Sequence, residues 1–197
     1  MRYAPAVILS AIAAALFVGL PSARAAEEAP QTVTIADGHV KLTIPASWTK
    51  KEPRNRIIEH EFEVPAAAGD ERPGRLTIMG AGGSVEDNID RWAGQFSQPD
   101  GSGTRDKAKI RKLTVAGQDA TIVDISGTYD DKVGPFVPGP GVQRPDYRLL
   151  GAIIQTKRDG KPTGNYYVKF YGPKNTIGGQ EAAFTKMIEG MKEVKSE

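Results

Sequence analysis

RLTIMGAGGSVEDNIDRWAGQF, residues 75–96, decides how the rest of the chain is read. Leu76, Ile78 and the residues around them form a β-strand pattern that runs into a glycine-rich turn. Ser84 then stands where a helix N-cap belongs, with Asp87 three residues on, a shorter version of the capping-box acid. Val85, Ile89, Trp92 and Phe96 fall at i, i+4, i+7 and i+11, one apolar stripe that predicts a helix over 85–97. A strand that turns through glycines into a helix can cradle a phosphate. A Walker loop, however, needs a lysine and a hydroxyl directly after the glycines. Here Gly82, Gly83 and Ser84 lead into Val85, Glu86 and Asp87, and the two acids repel a phosphate while complementing the helix dipole. The dinucleotide fingerprint also fails, because the third glycine and a parallel crossover are missing. The stretch reads as a strand-to-helix turn.

Outward from it, strand patterns dominate. TVTIADGHVKLTIP, residues 32–45, holds two β-branched runs around Asp37-Gly38, a hairpin signal, and Pro45 ends the second run. Residues 57–64, IIEHEFEV, alternate. Ile58, His60, Phe62 and Val64 share one face, and Glu59, Glu61 and Glu63 share the other, read as the solvent face. AKIRKLTVAGQDATIVDISGTY gives two strands joined at Ala116-Gly117. YRLLGAIIQT and NYYVKFYG give two more, joined by a turn spanning KRDGKPTG. A final helix over about 177–192 puts Phe184, Ile188 and Met191 on one face. The pattern amounts to about eight strands and two main helices. The short connections cannot make parallel crossovers, so the expected fold is α+β, with a mostly antiparallel sheet covered by the helices.

The order of elements resembles the Mog1/PsbP-like α/β sandwich. Leu42, Ile44, Pro45 and Trp48 match that fold's opening motif, and Val115, Gly117 and Ala120 match its hairpin. GGSVEDNIDRWAGQF, followed by VDISGTY and YRLLGA, resembles a group of exported bacterial proteins with no assigned activity. The resemblance spans most of residues 40–192. It implies a module that binds other proteins, as PsbP docks on photosystem II and Mog1 on a small GTPase. Neither of those partners carries over, because no motif for either is present.

The first residues carry an address. Arg2 precedes an apolar run from Ala6 to Leu20, short for a membrane span, and Pro21 breaks it. Ala23-Arg24-Ala25 gives the small-x-small pattern of a cleaved signal. The expected organisation is a signal peptide over 1–25 cut between Ala25 and Ala26, a polar leader over 26–31, and one α+β domain over 32–197. Retention of the first segment as an anchor is the alternative. The formal charge is +2, and Arg2 and Arg24 lie in the leader, so residues 26–197 are neutral. A neutral domain has no overall field to draw in nucleic acid or an anionic membrane. With no cysteine in the chain, disulfides, thiolate metal sites and a lipoprotein anchor are all excluded.

Motifs for chemistry are sparse. His39 and His60 show no metal-ligand spacing, and no metal or cofactor is expected. His60 reads as a core histidine and His39 as exposed. There is no G-x-S-x-G elbow, and no catalytic residue stands out. Two features carry the binding expectation. Asn88, Arg91 and Gln95 border the helix stripe. There they either satisfy the fold's own groups, Arg91 pinning a loop carbonyl or a carboxylate, or hold a ligand. The Pro/Gly-rich loop over 130–146, DDKVGPFVPGPGVQRPD, is longer than a hairpin needs and carries Phe136 and Val137. Those two residues serve either as a partner contact or as a lid on the domain itself. The leading expectation is an exported, non-catalytic binding module whose partner is a protein or small ligand. A hydrolase or other enzyme with a carboxylate-containing pocket and a structural envelope component are the alternatives.

Overall fold

Residues 75–96 fold as a strand, a turn and a helix, with a shorter helix than the spacing predicts. The structure is a computed structural model that describes residues 29–132 and 141–194. In chain order its elements are β1 (Gln31–Ile35), β2 (Val40–Ile44), β3 (Thr49–Lys51), β4 (His60–Val64), β5 (Gly74–Ala81), α1 (Val85–Ala93), β6 (Phe96–Ser97), α2 (Thr104–Lys107), β7 (Lys109–Val115) and β8 (Gln118–Asp131). These are followed by β9 (Val142–Arg158), β10 (Lys161–Pro173), α3 (Lys174–Gly179), α4 (Glu181–Glu189) and β11 (Lys192–Glu193). The Ser84 hydroxyl caps α1 by accepting the Asp87 N–H at 3.0 Å. Gly94 stops the helix, its N–H closing on Asp90 O at 2.8 Å. Phe96 therefore joins the sheet in β6 instead of the helix.

The strands form two antiparallel sheets, where the sequence suggested one. The large sheet runs β3-β4-β5-β10-β9-β8-β6, with β7 also paired to β8. The small sheet runs β1-β2-β11. The chain is thus α+β, with an eight-stranded antiparallel sheet at its centre. On one face of that sheet lie the small sheet, α3 and α4, which bury Trp48, Phe62, Leu76, Phe170 and Phe184 between them. On the other face lies α1, with Ile89 and Trp92 against Val123, Leu149, Ile153 and Tyr167. Trp92 is 1% exposed, as its place in the stripe requires. It rests on Gly151, where an added Cβ would fall 2.2 Å from Trp92 Cζ3. A glycine in the middle of a strand is explained here by that close approach.

Several expectations need correction. The strands β9 and β10 are longer than their apolar runs. Their turn is Asp159-Gly160 alone, with φ of 51° and 73°, the two positive values that a two-residue hairpin turn demands. Residues 130, 131 and 142–146 belong to strands, so the expected loop is shorter. Pro145 fits in β9 because the register slips there. Gly127 pairs with Tyr147 and Tyr129 with Arg144, so Thr128 faces both Pro145 and Asp146. A bulge of this kind absorbs a residue that has no N–H to donate. Gln31 opens β1 instead of closing the leader, its Nε2 donating to Trp48 O at 2.8 Å. The final helix is two helices broken at Gln180, whose Oε1 accepts the Trp48 indole N–H at 3.1 Å. The histidines exchange roles. His39 is buried beside β11, with Glu193 Oε1 3.1 Å from Nε2, whereas His60 is half-buried and donates to Thr34 O.

Candidate functional site

Opposed residues in an antiparallel ladder share a face of the sheet. Lys51, Glu61, Thr77, Lys169 and Gly151 are paired in turn across β3, β4, β5, β10 and β9, so they form one row on the α1 side. Thr49, Glu63, Arg75, Tyr171 and Leu149 form the next row. The hydrophobic cover of α1 ends over Gly151 and Leu149. Beyond it these rows turn polar, and a cleft of about 410 Å3 opens over Lys51, Glu61, Glu63, Arg75 and Tyr171.

Glu61 is the anchor of that cleft. The alternation in 57–64 placed it in solvent, but its side chain is 4% exposed. Arg75 reaches it with two donors, Nε at 2.8 Å and Nη2 at 2.9 Å. Arg54 adds its backbone N–H at 3.1 Å and its own guanidinium at 3.2 Å. Burial pushes the Glu61 carboxyl up, but the hydrogen bonds and charges of Arg75 and Arg54 outweigh that and hold it below the usual carboxylate range. Arg75 also donates from Nη1 to Tyr171 Oη at 2.8 Å. The other acids of the cleft include Glu63, paired with Lys51 at 3.2 Å, and Asp131, paired with Arg144 at 3.2 Å. Arg72 is exposed on the rim, and among the described residues no carboxylate lies within ion-pair distance of it.

Behind Tyr171 sits Lys169, 9% exposed. Its Nζ donates to Gln95 Oε1 at 2.6 Å and lies 3.3 Å from Tyr129 Oη. The same atom is 4.3 Å from the centre of the Tyr171 ring and 5.1 Å from that of Tyr129. Tyr129 in turn stacks on Tyr147, with centroids 5.9 Å apart and planes 2° from parallel. Burial pulls the Lys169 amine down to about 7, Arg75 and Arg91 act in the same direction, and Asp131 opposes them. Burial also raises the Tyr129 hydroxyl above its ordinary value, so it stays protonated at neutral pH.

The sequence singled out three residues on this side of the molecule, and the structure buries Asn88, half-buries Gln95 and leaves Arg91 exposed. Asn88 is buried, donating to Ser84 O at 2.8 Å and to Tyr167 Oη at 2.7 Å, and it accepts from Arg91 Nη2. Arg91 also lies over the Tyr167 ring. Gln95 meets Lys169. Tyr167 and Asn165 reach back to the carbonyls of the glycine turn, Tyr167 Oη to Gly82 O at 3.2 Å and Asn165 Nδ2 to Gly83 O at 2.9 Å. Phe136 and Val137 lie outside the described residues. The sequence reading missed Glu61 as a buried group, and with it Arg75, Lys169, Tyr147 and Tyr171. One signal was present: Tyr167, Lys169 and Tyr171 alternate with Val168 and Phe170, which places a lysine on an aromatic face of a central strand. Among the described residues no group of His, Asp or Glu is arranged to hold a metal, and no helix is long and apolar enough to cross a membrane.

No protein-family model matches the chain, and no curated protein matches it in sequence. Among solved structures it is similar to the cyanobacterial PsbP (CyanoP) of Synechocystis sp. PCC 6803. The two are 9% identical, with 93% of this chain and 99% of that one covered and a TM-score of 0.48. It is also similar to LpqN of Mycobacterium tuberculosis, a protein involved in cell envelope biogenesis. That match is 11% identical, covers 85% of this chain and 91% of that one, and has a TM-score of 0.49. A Pseudomonas aeruginosa protein of unknown function, described as a putative regulator, is 13% identical. It covers 81% of this chain and 94% of its own, with a TM-score of 0.42.

Proposed function

We propose that the chain is an exported, non-catalytic binding module that holds its partner in the cleft over β3, β4, β5 and the end of β10. The observation that carries this reading is that three of the four acids of the cleft, Glu61, Glu63 and Asp131, are already engaged in ion pairs, which leaves Glu52 without a carboxylate partner free to share a proton. A hydrolytic carboxylate pair needs one member kept protonated near neutral pH. Glu61 is shifted the other way and is a weak base. What the cleft offers instead is contact surface: the rings of Tyr147 and Tyr171 and the guanidinium of Arg72. Tyrosine and arginine are the side chains that most often anchor a bound partner.

In this reading Asn88, Arg91 and Gln95 brace α1 and Lys169 beside the cleft. Phe136 and Val137 are proposed as partner contacts on sequence grounds alone. Export rests on Arg2, the apolar run to Leu20 and the Ala23-x-Ala25 pattern, with cleavage between Ala25 and Ala26. Sequencing of the native protein should therefore begin at Ala26, and a retained Met1 overturns the export proposal.

The cleft itself is tested by placing a photo-crosslinking side chain at Arg72 and, separately, at Gln155, which is exposed at the far end of β9. In the cells that make the protein, irradiation should give a discrete adduct from position 72 and none from 155. Equal adducts from both positions, or none from 72, overturn the cleft as the contact site.

A further inference from the structure

Lys169 is a buried cation whose contacts are all neutral. Among the described residues no carboxylate stands within 4.0 Å of its Nζ, which rests on Gln95, Tyr129 and the face of Tyr171. Retaining an ammonium at such a position costs stability unless a charge answers it. The groups facing it come from every element packed around it. Gln95, Tyr129 of β8 and Tyr171 of its own strand touch it, Arg75 of β5, Arg91 of α1 and Asp131 of β8 act on it by charge, Glu61 of β4 lies two strands along the same row, and Tyr147 of β9 stacks on Tyr129. Two arginines, Arg75 and Arg91, balance two acids, Glu61 and Asp131, in this set, so the ammonium of Lys169 is its excess charge. Glu61 is shared between Arg54 and Arg75, so one of those two charges is unmet, and Asp131 is paired with Arg144. Arg72 adds another cation on the rim. Glu52 is the one acid of the cleft that has no ion pair among the described residues.

We propose that the cleft seats an oxyanion of its ligand, a carboxylate or a phosphate, on Arg72 and Arg75, and that Lys169 behind Tyr171 is the buried cation completing its charge. The proposal rests on the binding reading of the same cleft and names the chemistry of what is bound. Lys169 is built to exist in both protonation states. As an ammonium it donates to Gln95 Oε1 and to Tyr129 Oη. As a neutral amine it still donates to Gln95 and accepts the Tyr129 proton, which that hydroxyl retains because it is buried. Near neutral pH part of the population is neutral. An anion entering the cleft acts as Asp131 does, favouring the ammonium. Binding of a fully ionised anion such as succinate therefore takes up protons from the buffer, each one converting an amine to an ammonium, with no other bond changed.

The test is calorimetric titration of the whole chain with inorganic phosphate and, separately, with succinate, in two buffers of different ionisation enthalpy near neutral pH. The expected result is saturable binding of at least one probe with net uptake of a fraction of a proton, read directly with succinate and, with phosphate, after correction for the proton that phosphate itself exchanges near neutral pH. Binding of phosphate alone, succinate alone or both identifies which oxyanion the cleft prefers. Lys169→Met should abolish the uptake and weaken binding about tenfold, the effect of one charged contact. Arg72→Gln should weaken binding and leave the uptake in place. Because proton uptake is read on the native protein, the result stands even if the Lys169 variant folds poorly. Binding without uptake, or no saturable binding of either probe, overturns the inference. If the titrations fail while a crosslinker at position 72 still gives its adduct, the oxyanion falls and the binding cleft stands. If both fail, the cleft falls as well.

Discussion

The two faces of the large sheet bury side chains of different kinds. Under β1, β2, α3 and α4 the buried set is dominated by apolar side chains, with Trp48, Phe62, Val64, Leu76, Ile78 and Phe170 among them and only His39, Gln118, Thr156 and Thr176 as buried polar residues among those described. There Trp48 meets Phe170 with ring centroids 5.2 Å apart, and its indole N–H is satisfied by Gln180. Under α1 the same strands bury Tyr167, Tyr129, Asn88 and Lys169, each with a polar atom that needs a partner. Apolar burial stabilises in proportion to area and asks for no alignment. A buried polar network has to satisfy every member and yields less stability than the apolar packing it displaces. The first face holds the fold together. The second gives up stability to hold charge and hydroxyls behind Tyr171 and Tyr147, the rings that line the cleft.

The apolar face should show the largest loss on truncation. Trp48→Ala should lose about 3–5 kcal/mol in a urea melt, the usual cost of removing a fully buried indole. A loss below about 1 kcal/mol would mean that the apolar face is not the main support. Gly151→Ala probes the other face. Its new methyl collides with the Trp92 ring, and overpacking of this kind costs about 1–3 kcal/mol. A neutral effect would show that α1 sits on the sheet more loosely than its burial indicates. Ser84→Ala is the smallest. It removes the hydroxyl that accepts the Asp87 N–H, at a cost of about 1 kcal/mol, and leaves both faces of the sheet intact.

What the sequence revealed and what it hid follow from how local each signal is. The capped helix and the DG and AG hairpins were legible, because a turn and a cap are made by neighbours in the chain. KRDGKPTG misled because its composition suits a long loop. In the structure the strands pair almost to Asp159-Gly160, and the glycine and proline are absorbed where the register shifts between Pro162 and Gly164. Glu61 was hidden for a different reason. Period-two alternation assigns a residue to a face of the sheet but says nothing of what covers that face. Its cover, Arg75, comes from the neighbouring strand and Arg54 from the segment before β4. The roles of Asn88 and Gln95 were half legible. Their place at the edge of the stripe showed in the helical spacing, but Tyr167 and Lys169, which they meet, lie on β10.

The claim that one face carries an unanswered buried charge is tested most directly at Lys169 itself. In the folded chain its amine holds a proton below about pH 7, and in the unfolded chain below its ordinary 10.5. Between those values the unfolded chain binds more protons, so this group makes stability rise with pH. Below about pH 7 the folded state bears the full cost of the ammonium, roughly 5 kcal/mol. Lys169→Met removes that cost and forfeits hydrogen bonds worth about 1–2 kcal/mol. Urea melts of the two proteins should therefore show the variant more stable by about 3–4 kcal/mol near pH 6. That advantage should shrink steadily and vanish as the pH approaches about 10. A variant less stable than the native chain near pH 6, or a gain that is the same at both ends of the range, would contradict the account.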